Sequence, residues 1–97
     1  MKNLQSAKST IQKNKKVIVE TFHVKRIGIF GSTVRGEDNV HSDVDILVEF
    51  SKPVGFFTFF DLEEFLKKEL GKPVDLVTKN ALKPQIGKRI LREVVYV

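Results

Sequence analysis

The sequence predicts a small α/β (α+β) domain in which helices flank a largely buried sheet of about four strands. Segments with helical and with strand-like hydrophobic spacing alternate along the chain, and the strand-like segments are short and apolar. A length of 97 residues is enough for one hydrophobic core. No internal repeat or long linker divides the sequence, so we expect residues 1–97 to form a single domain.

The first third of the chain predicts a helix, a strand and a turn. Apolar residues recur near helical spacing over residues 3–21, but the pattern weakens at residues 14–16, so we expect a short or irregular helix. Residues 25–30 predict a short strand. Ser32 is a candidate N-cap for a helical turn at residues 33–35, before a stretch of loop-forming residues.

The middle of the chain contains the clearest strand and the clearest helix. Residues 44–50 predict the strand. Residues 56–70 predict a helix with Phe59, Leu62, Leu66 and Leu70 on one face. Gly71 and Pro73 follow that helix, as is typical of a helix stop.

The last quarter completes the alternation of strands and helices. Residues 74–78 predict a strand, and residues 83–93 predict a helix with Pro84 in its first turn. We expect Ile86 and Ile90 to face inward, and residues 94–97 to form a closing strand.

Composition indicates a soluble, intracellular protein, and we expect it to be cytoplasmic. Cysteine is absent, which excludes disulfides and cysteine-ligated metals. No apolar run is long enough to span a bilayer, and the start lacks the apolar segment of a signal peptide. The net charge of +5 lies mostly within residues 1–20, which hold five lysines against Glu20. Such a surface can attract nucleic acid, nucleotides or an acidic partner, but we interpret it as a solvated helix face.

Two acids stand at the start of the clearest strand. Asp43 and Asp45 point to the same side of the strand, with Cα atoms roughly 6.6 Å apart. Two such carboxylates can bind one Mg²⁺ or lie on two neighbouring ions, with waters and phosphate oxygens completing the shell. Alone, the pair also fits solvated acids at a strand start.

A Gly-Ser turn precedes these acids. Gly31 lets a ligand approach the backbone, and Ser32 adds a hydroxyl donor for phosphate. The alternative is an ordinary strand-to-helix turn with a serine cap. Because the turn and the acid pair occur together, they indicate a magnesium-dependent enzyme acting on nucleoside triphosphates.

Asp75 is the candidate for a third acid, since it interrupts an apolar strand where Asp is disfavoured. If the strands at 74–78 and 44–50 pair, Asp75 comes near the other two acids. The alternative is an acid on an edge strand that faces solvent. Glu49 is a weaker candidate, about 13 Å along the strand from Asp45, and the histidines, His23 and His41, match no ligand spacing.

The chain resembles the DNA polymerase beta-type nucleotidyltransferase superfamily, and most of all its minimal nucleotidyltransferases, the MNT or MntA group. The resemblance rests on Gly31-Ser32, ten intervening residues and Asp43-Val44-Asp45, and it extends over GSTVRGE, SDVDILVEF, PVDLVT and ILREVVYV. It implies the nucleotidyltransferase fold, with a small mixed sheet.

The resemblance also implies roles for individual residues. Three residues, Asp43, Asp45 and Asp75, would be catalytic and would bind two magnesium ions. ATP would be the substrate. Gly31 and Ser32 would hold the triphosphate. Arg35 either approaches a phosphate or forms a loop salt bridge, for example to Glu37 or Asp38.

Proteins of the minimal group typically act as antitoxins. The resemblance implies a HEPN-domain RNase toxin as partner, to which AMP is transferred on a tyrosine hydroxyl. Two alternatives remain open: an antitoxin that neutralises its partner by occlusion, and a transferase acting on RNA or a small molecule. Direct binding of nucleic acid is also left open.

The Phe-rich segment at residues 56–60 is a candidate surface for a partner or a second copy of the chain. Helical spacing turns Phe57 away from the core and places Phe60 at its margin. The alternative is a helix buried on two sides or an irregular helix start.

Overall fold

A computed structural model describes residues 2–97 and contains a four-stranded sheet with helices packed on it. In chain order the elements are α1 (Lys2–Lys13), α2 (Lys15–Glu20), β1 (Val24–Phe30), α3 (Ser32–Arg35), β2 (Val44–Phe50), α4 (Phe56–Leu70), β3 (Val74–Thr78), a 3-10 turn (Lys79–Ala81), α5 (Pro84–Glu93) and β4 (Val95–Tyr96). Among residues 2–97, no helix combines the length and apolar character needed to cross a membrane.

The sheet is mixed, with strand order β3-β2-β1-β4. β1 is antiparallel to both β2 and β4, whereas β2 and β3 are parallel. A parallel pair needs a crossover connection, and α4 supplies it between these two strands. The predicted fold class, a small mixed sheet of four strands flanked by helices, is confirmed.

The N-terminal helix is interrupted at Asn14, where the sequence pattern weakens. The Asn14 side chain donates a hydrogen bond to the Thr10 carbonyl oxygen at 2.9 Å, and its backbone leaves the helical region before α2 begins. Asn competes in this way with regular helix hydrogen bonding. The predicted irregularity therefore takes the form of two helices, α1 and α2.

Two clusters of buried side chains cover the two faces of the sheet. The larger cluster joins the even-numbered residues of β2 to α1, α2 and α4, and includes Ile18, Ile46, Leu62 and Leu66. The smaller one joins Phe30, Leu47 and Ile90 on the other face. Alternation along β2 explains why Ile46 and Leu47 belong to different clusters.

The prediction that Ile86 faces inward is wrong. Ile86 is 57% exposed, whereas Gly87 and Ile90 are buried. A Cβ on Gly87 would lie 3.2 Å from the Leu82 Cβ, because the helix backbone at Gly87 packs directly against Leu82. The buried face of α5 is thus set by Gly87 and Ile90 at i, i+3 spacing.

The first turn of α4 presents three aromatic rings to solvent. Phe56, Phe57 and Phe60 are 72%, 79% and 44% exposed. The Phe56 and Phe60 rings stack with centroids 6.1 Å apart. The helix therefore buries Leu62 and Leu66 while leaving these rings outside the core.

Candidate active site

The structure brings the three predicted acids together at the start of the parallel strand pair. Asp45 in β2 is the register partner of Asp75 in β3, and paired strands lie about 4.8 Å apart. Asp43 lies two residues before Asp45, at the spacing that returns to the same side of a strand. Asp43 and Asp75 are exposed, and Asp45 is half-buried. A ligand can therefore reach the carboxylates from solvent.

The three carboxylates act on one another. The pKa of Asp45 is raised from 3.8 to about 6, first by burial and then by the negative charges of Asp75 and Asp43. Arg35 opposes this rise, and Glu93 adds to it. Burial and like charge both penalise the ionised carboxylate. The site therefore has an excess of negative charge that a cation would offset.

Gly31 lies directly against Asp45 at the end of β1. Its φ is 77°, which favours glycine, and a Cβ there would overlap the Asp45 Oδ2 atom. A residue with a side chain here would have a strained backbone and would displace the Asp45 carboxylate. The Gly-Ser turn and the acid pair are thus in contact, although ten residues separate Ser32 from Asp43 in the sequence.

The predicted helical turn after Gly31 is present, but the expected cap is wrong by one residue. α3 starts at Ser32, Gly31 is its N-cap, and no side chain caps the helix. The Gly31 carbonyl oxygen instead accepts the N–H groups of Val34 and Arg35 at 3.1 and 3.2 Å. Since Gly31 supplies the turn conformation, the Ser32 hydroxyl is not committed to capping.

Arg35, at the end of α3, lies between two acids. Its Nε donates to Glu37 Oε1 at 2.9 Å, and its Nη1 donates to both carboxylate oxygens of Glu93 at 3.0 Å. The Glu37 partner is one of the alternatives predicted from the sequence. Asp38 pairs instead with Asn3 and Lys72.

Glu93 is the residue of this region that the sequence did not reveal. Besides binding Arg35, its Oε1 accepts the backbone N–H of Gly31 at 2.9 Å. The contact joins positions 62 residues apart, so no local spacing signals it. The only sequence signal is an acid within the ILREVVYV block.

The carboxylates fit a magnesium ion only if other ligands complete its shell. Within the described residues, no group of three or more His, Asp or Glu side chains is gathered so as to hold a metal ion alone. Mg²⁺ keeps several waters and commonly takes one or two carboxylates together with substrate phosphates. An all-oxygen donor set with uncompensated charge on Asp45 suits this partial coordination.

Glu49, the weaker candidate, belongs to a different part of the sheet. It lies 3.7 Å from Arg26 and 3.9 Å from Lys79 in ion pairs, and its Oε2 is buried without a hydrogen bond. It lines a cavity of about 590 Å³ with Phe56 and Phe59. None of the three acids lines that cavity, so the carboxylate site lies elsewhere on the molecule.

The chain matches a family model described as a nucleotidyltransferase domain over residues 11–97. It is 50% identical over 97 residues to the protein adenylyltransferase MntA of Thermococcus cleftensis, covering 100% of this chain and 98% of that protein. The chain therefore belongs to the nucleotidyltransferase family, as an enzyme of its minimal, MNT type. The resemblance seen in the sequence is confirmed.

Solved structures agree with this assignment. A minimal nucleotidyltransferase superposes with a TM-score of 0.76 and 28% identity, over 92% of this chain and 93% of that one. A chain from the complex of a tri-AMPylated Shewanella oneidensis HEPN toxin with its MNT antitoxin superposes with a TM-score of 0.67 and 18% identity, over 93% and 70%. The second likeness concerns the fold alone.

Proposed function

We propose that this nucleotidyltransferase transfers AMP from ATP to a tyrosine hydroxyl of a HEPN-domain toxin and acts as the antitoxin of that pair. The observation that carries the proposal is the set of Asp43, Asp45 and Asp75 beside the Gly31 backbone. The Thermococcus relative is a protein adenylyltransferase, and the toxin in the Shewanella complex is AMPylated. Both support a protein as the acceptor of AMP.

In the proposed reaction the acceptor hydroxyl oxygen attacks the α-phosphorus of ATP. The new O–P bond replaces the bond from the α-phosphorus to the bridging oxygen, and pyrophosphate leaves with that bond's electron pair. Asp75, exposed beside Asp45, takes the hydroxyl proton. The Gly31-Ser32 turn contacts the triphosphate, and Arg35 lies one short helix away.

Asp43 and Asp45 would hold Mg²⁺, with Asp75 as a ligand of a second ion. When bound, Mg²⁺ would supply charge stabilisation for the phosphates and a lower pKa for the attacking hydroxyl. The negative charges of Asp75 and Asp43, which add to burial in raising the pKa of Asp45, support this role because they would attract a divalent cation.

The open site supports an acceptor brought by another molecule. Asp43 and Asp75 are exposed, and none of the three acids lines the cavity beside Glu49. We propose Phe56, Phe57 and Phe60 as a contact surface for the toxin or for a second copy of the chain, since solvent-facing aromatic clusters often mark interfaces.

The catalytic proposal is tested by incubating the protein with labelled ATP, Mg²⁺ and the protein encoded by the neighbouring gene. We expect label on the partner, and its loss in the variant with Asp43→Asn and Asp45→Asn. Asp61→Asn, at an exposed acid on α4, is the matched control and should transfer normally. Tight binding without label, unchanged by the double substitution, would instead support occlusion. Label only on added RNA would support an RNA transferase.

The contact surface is tested with Phe57→Ser, compared with Ile86→Ser at an exposed apolar residue on α5. We expect the first variant to weaken toxin binding or self-association about tenfold or more, and the second to leave both unchanged. Sedimentation of the chain alone and titration with the toxin separate the two partners. If neither property changes in Phe57→Ser, this surface is not an interface.

A further inference from the structure

Glu93 links three parts of the molecule with one carboxylate. It is the last residue of α5, and its side chain is only 19% exposed. Its Oε1 accepts the Gly31 N–H at 2.9 Å and one bond from Arg35 Nη1 at 3.0 Å, while Oε2 accepts a second bond from the same nitrogen at 3.0 Å. The C-terminal helix is therefore hydrogen-bonded to the turn that follows β1.

These contacts reach both ends of α3. Gly31 is its N-cap and Arg35 is its last residue, so a single side chain spans the whole element. A helix of four residues cannot be stable alone, because nucleation costs more than one turn of hydrogen bonds returns. No side chain caps α3. Its position consequently depends on contacts from outside the segment, and Glu93 supplies charge-assisted ones.

The segment held by Glu93 is the one that the proposed function assigns to the triphosphate. Gly31 abuts Asp45, so a displacement of the turn would also change the surroundings of that carboxylate. Arg35 carries a positive charge that acts on Asp45. Among the described residues, the other hydrogen-bond partner of the Arg35 side chain is Glu37, an exposed residue on its own loop.

We propose that Glu93 is a positioning residue for nucleotide binding: through Gly31 and Arg35 it holds the Gly31–Arg35 segment in the conformation that receives the phosphates of ATP. The inference rests on the proposed function, because it presumes that this segment binds the triphosphate. It also gives α5 a role in the site.

The test measures binding of Mg²⁺ with a non-hydrolysable ATP analogue, together with the kinetics of transfer. Glu93→Ala should weaken analogue binding and raise the KM for ATP about tenfold, with kcat changed less than about threefold. Glu93→Gln, which keeps an oxygen acceptor, should recover part of the affinity. Asp61→Ala, at an exposed acid on α4, is the matched control, with no expected change.

A double-mutant cycle and amide hydrogen exchange show whether Glu93 affects nucleotide binding through Arg35 and Gly31. Arg35→Ala combined with Glu93→Ala should cost less than the sum of the two single changes, because the two residues share the Arg35–Glu93 contact. Exchange of the Gly31 amide hydrogen should be faster in Glu93→Ala without nucleotide, while exchange in β2 is unchanged. Additive effects, or a Gln variant no better than Ala, would overturn the proposal.

Other outcomes separate this inference from the proposed function. If the wild-type protein binds and transfers AMP but Glu93→Ala has wild-type affinity, only the role of Glu93 is refuted. Tighter nucleotide binding by Glu93→Ala would refute it as well, by showing that the carboxylate competes with phosphate. If the wild-type protein neither binds nucleotide nor transfers AMP, both proposals fail.

Discussion

Asp45 and Asp75 are direct neighbours in the parallel register of β2 and β3, although 30 positions separate them in the sequence. The pKa of Asp45 is raised to about 6, first by burial and then by the negative charges of Asp75 and Asp43. The arrangement stores electrostatic repulsion that is useful only if a cation or a proton relieves it. Four measurable consequences follow from this and other contacts.

Without metal, Asp45→Asn should stabilise the protein at high pH and not at low pH. The pKa of Asp45 is about 6 in the folded protein and near 3.8 when unfolded, so the folded state binds more protons between these values. The penalty is therefore absent below pH 4, grows as pH rises and is complete above pH 6. After a discount for partial exposure, we expect a gain of roughly 1 to 2 kcal/mol at pH 8.

This prediction is checked by urea unfolding in EDTA at pH 4 and pH 8. Asp61→Asn, at an exposed acid on α4, should show no such dependence. An equal effect of Asp45→Asn at both pH values would contradict the raised pKa of Asp45.

Mg²⁺ with a non-hydrolysable ATP analogue should raise the melting temperature of the wild-type protein. A ligand present at about 100 times its Kd stabilises the folded state by about 2.7 kcal/mol. The variant with Asp43→Asn and Asp45→Asn should lose the part of the shift that depends on Mg²⁺. Differential scanning fluorimetry with and without EDTA measures it, and a metal-dependent shift retained by the variant would place the ion elsewhere.

Substitution of three glycines by Ala should reveal how closely Gly31 approaches Asp45. Gly31→Ala combines a φ of 77° with overlap on Asp45, and should cost more than about 2 kcal/mol. Gly36→Ala has a φ of 72° but open space, and should cost about 1 kcal/mol. Gly55→Ala has neither problem and should cost less than about 1 kcal/mol. Chemical denaturation gives the order, and equal costs for Gly31 and Gly36 would refute the close approach.

Two isoleucines on α5 should behave differently when truncated. Ile90 is buried beside Phe30 and Leu47, so Ile90→Ala should destabilise the protein by about 2 to 4 kcal/mol. Ile86 is 57% exposed, and Ile86→Ala should change stability by less than about 0.5 kcal/mol. The same denaturation measurement compares them, and a large effect at Ile86 would restore the face predicted from the sequence.

Most helices and strands could be predicted from local sequence patterns. The strand at 44–50 and the helix at 56–70 agree with the observed bounds, because their periodicity and the Gly71 stop act within a few residues. Ile86 was misplaced because 3.6-residue spacing fits several faces of a short helix. The sequence could not show that Gly87, and not Ile86, faces the buried side.

The acids and the Gly-Ser turn could be named from the sequence because metal and phosphate chemistry restrict the residue types at fixed spacing. Their functional roles stay predictions. The sequence allows Arg35 either to approach a phosphate or to form a salt bridge, and the structure places it against Glu37 and Glu93. The missed residue, Glu93, has no short-range spacing to Gly31 or Arg35.

The sequence by itself determined the order of elements, the family resemblance and the acids at the start of β2, since each depends on neighbours along the chain. Only the tertiary structure decided that Asp75 lies opposite Asp45 and that Gly31 lies against Asp45. It also decided that Glu93 forms hydrogen bonds at both ends of α3. Strand register and long-range hydrogen bonds depend on how both buried faces of the sheet pack at the same time. A local sequence pattern describes only neighbouring residues and cannot specify that packing.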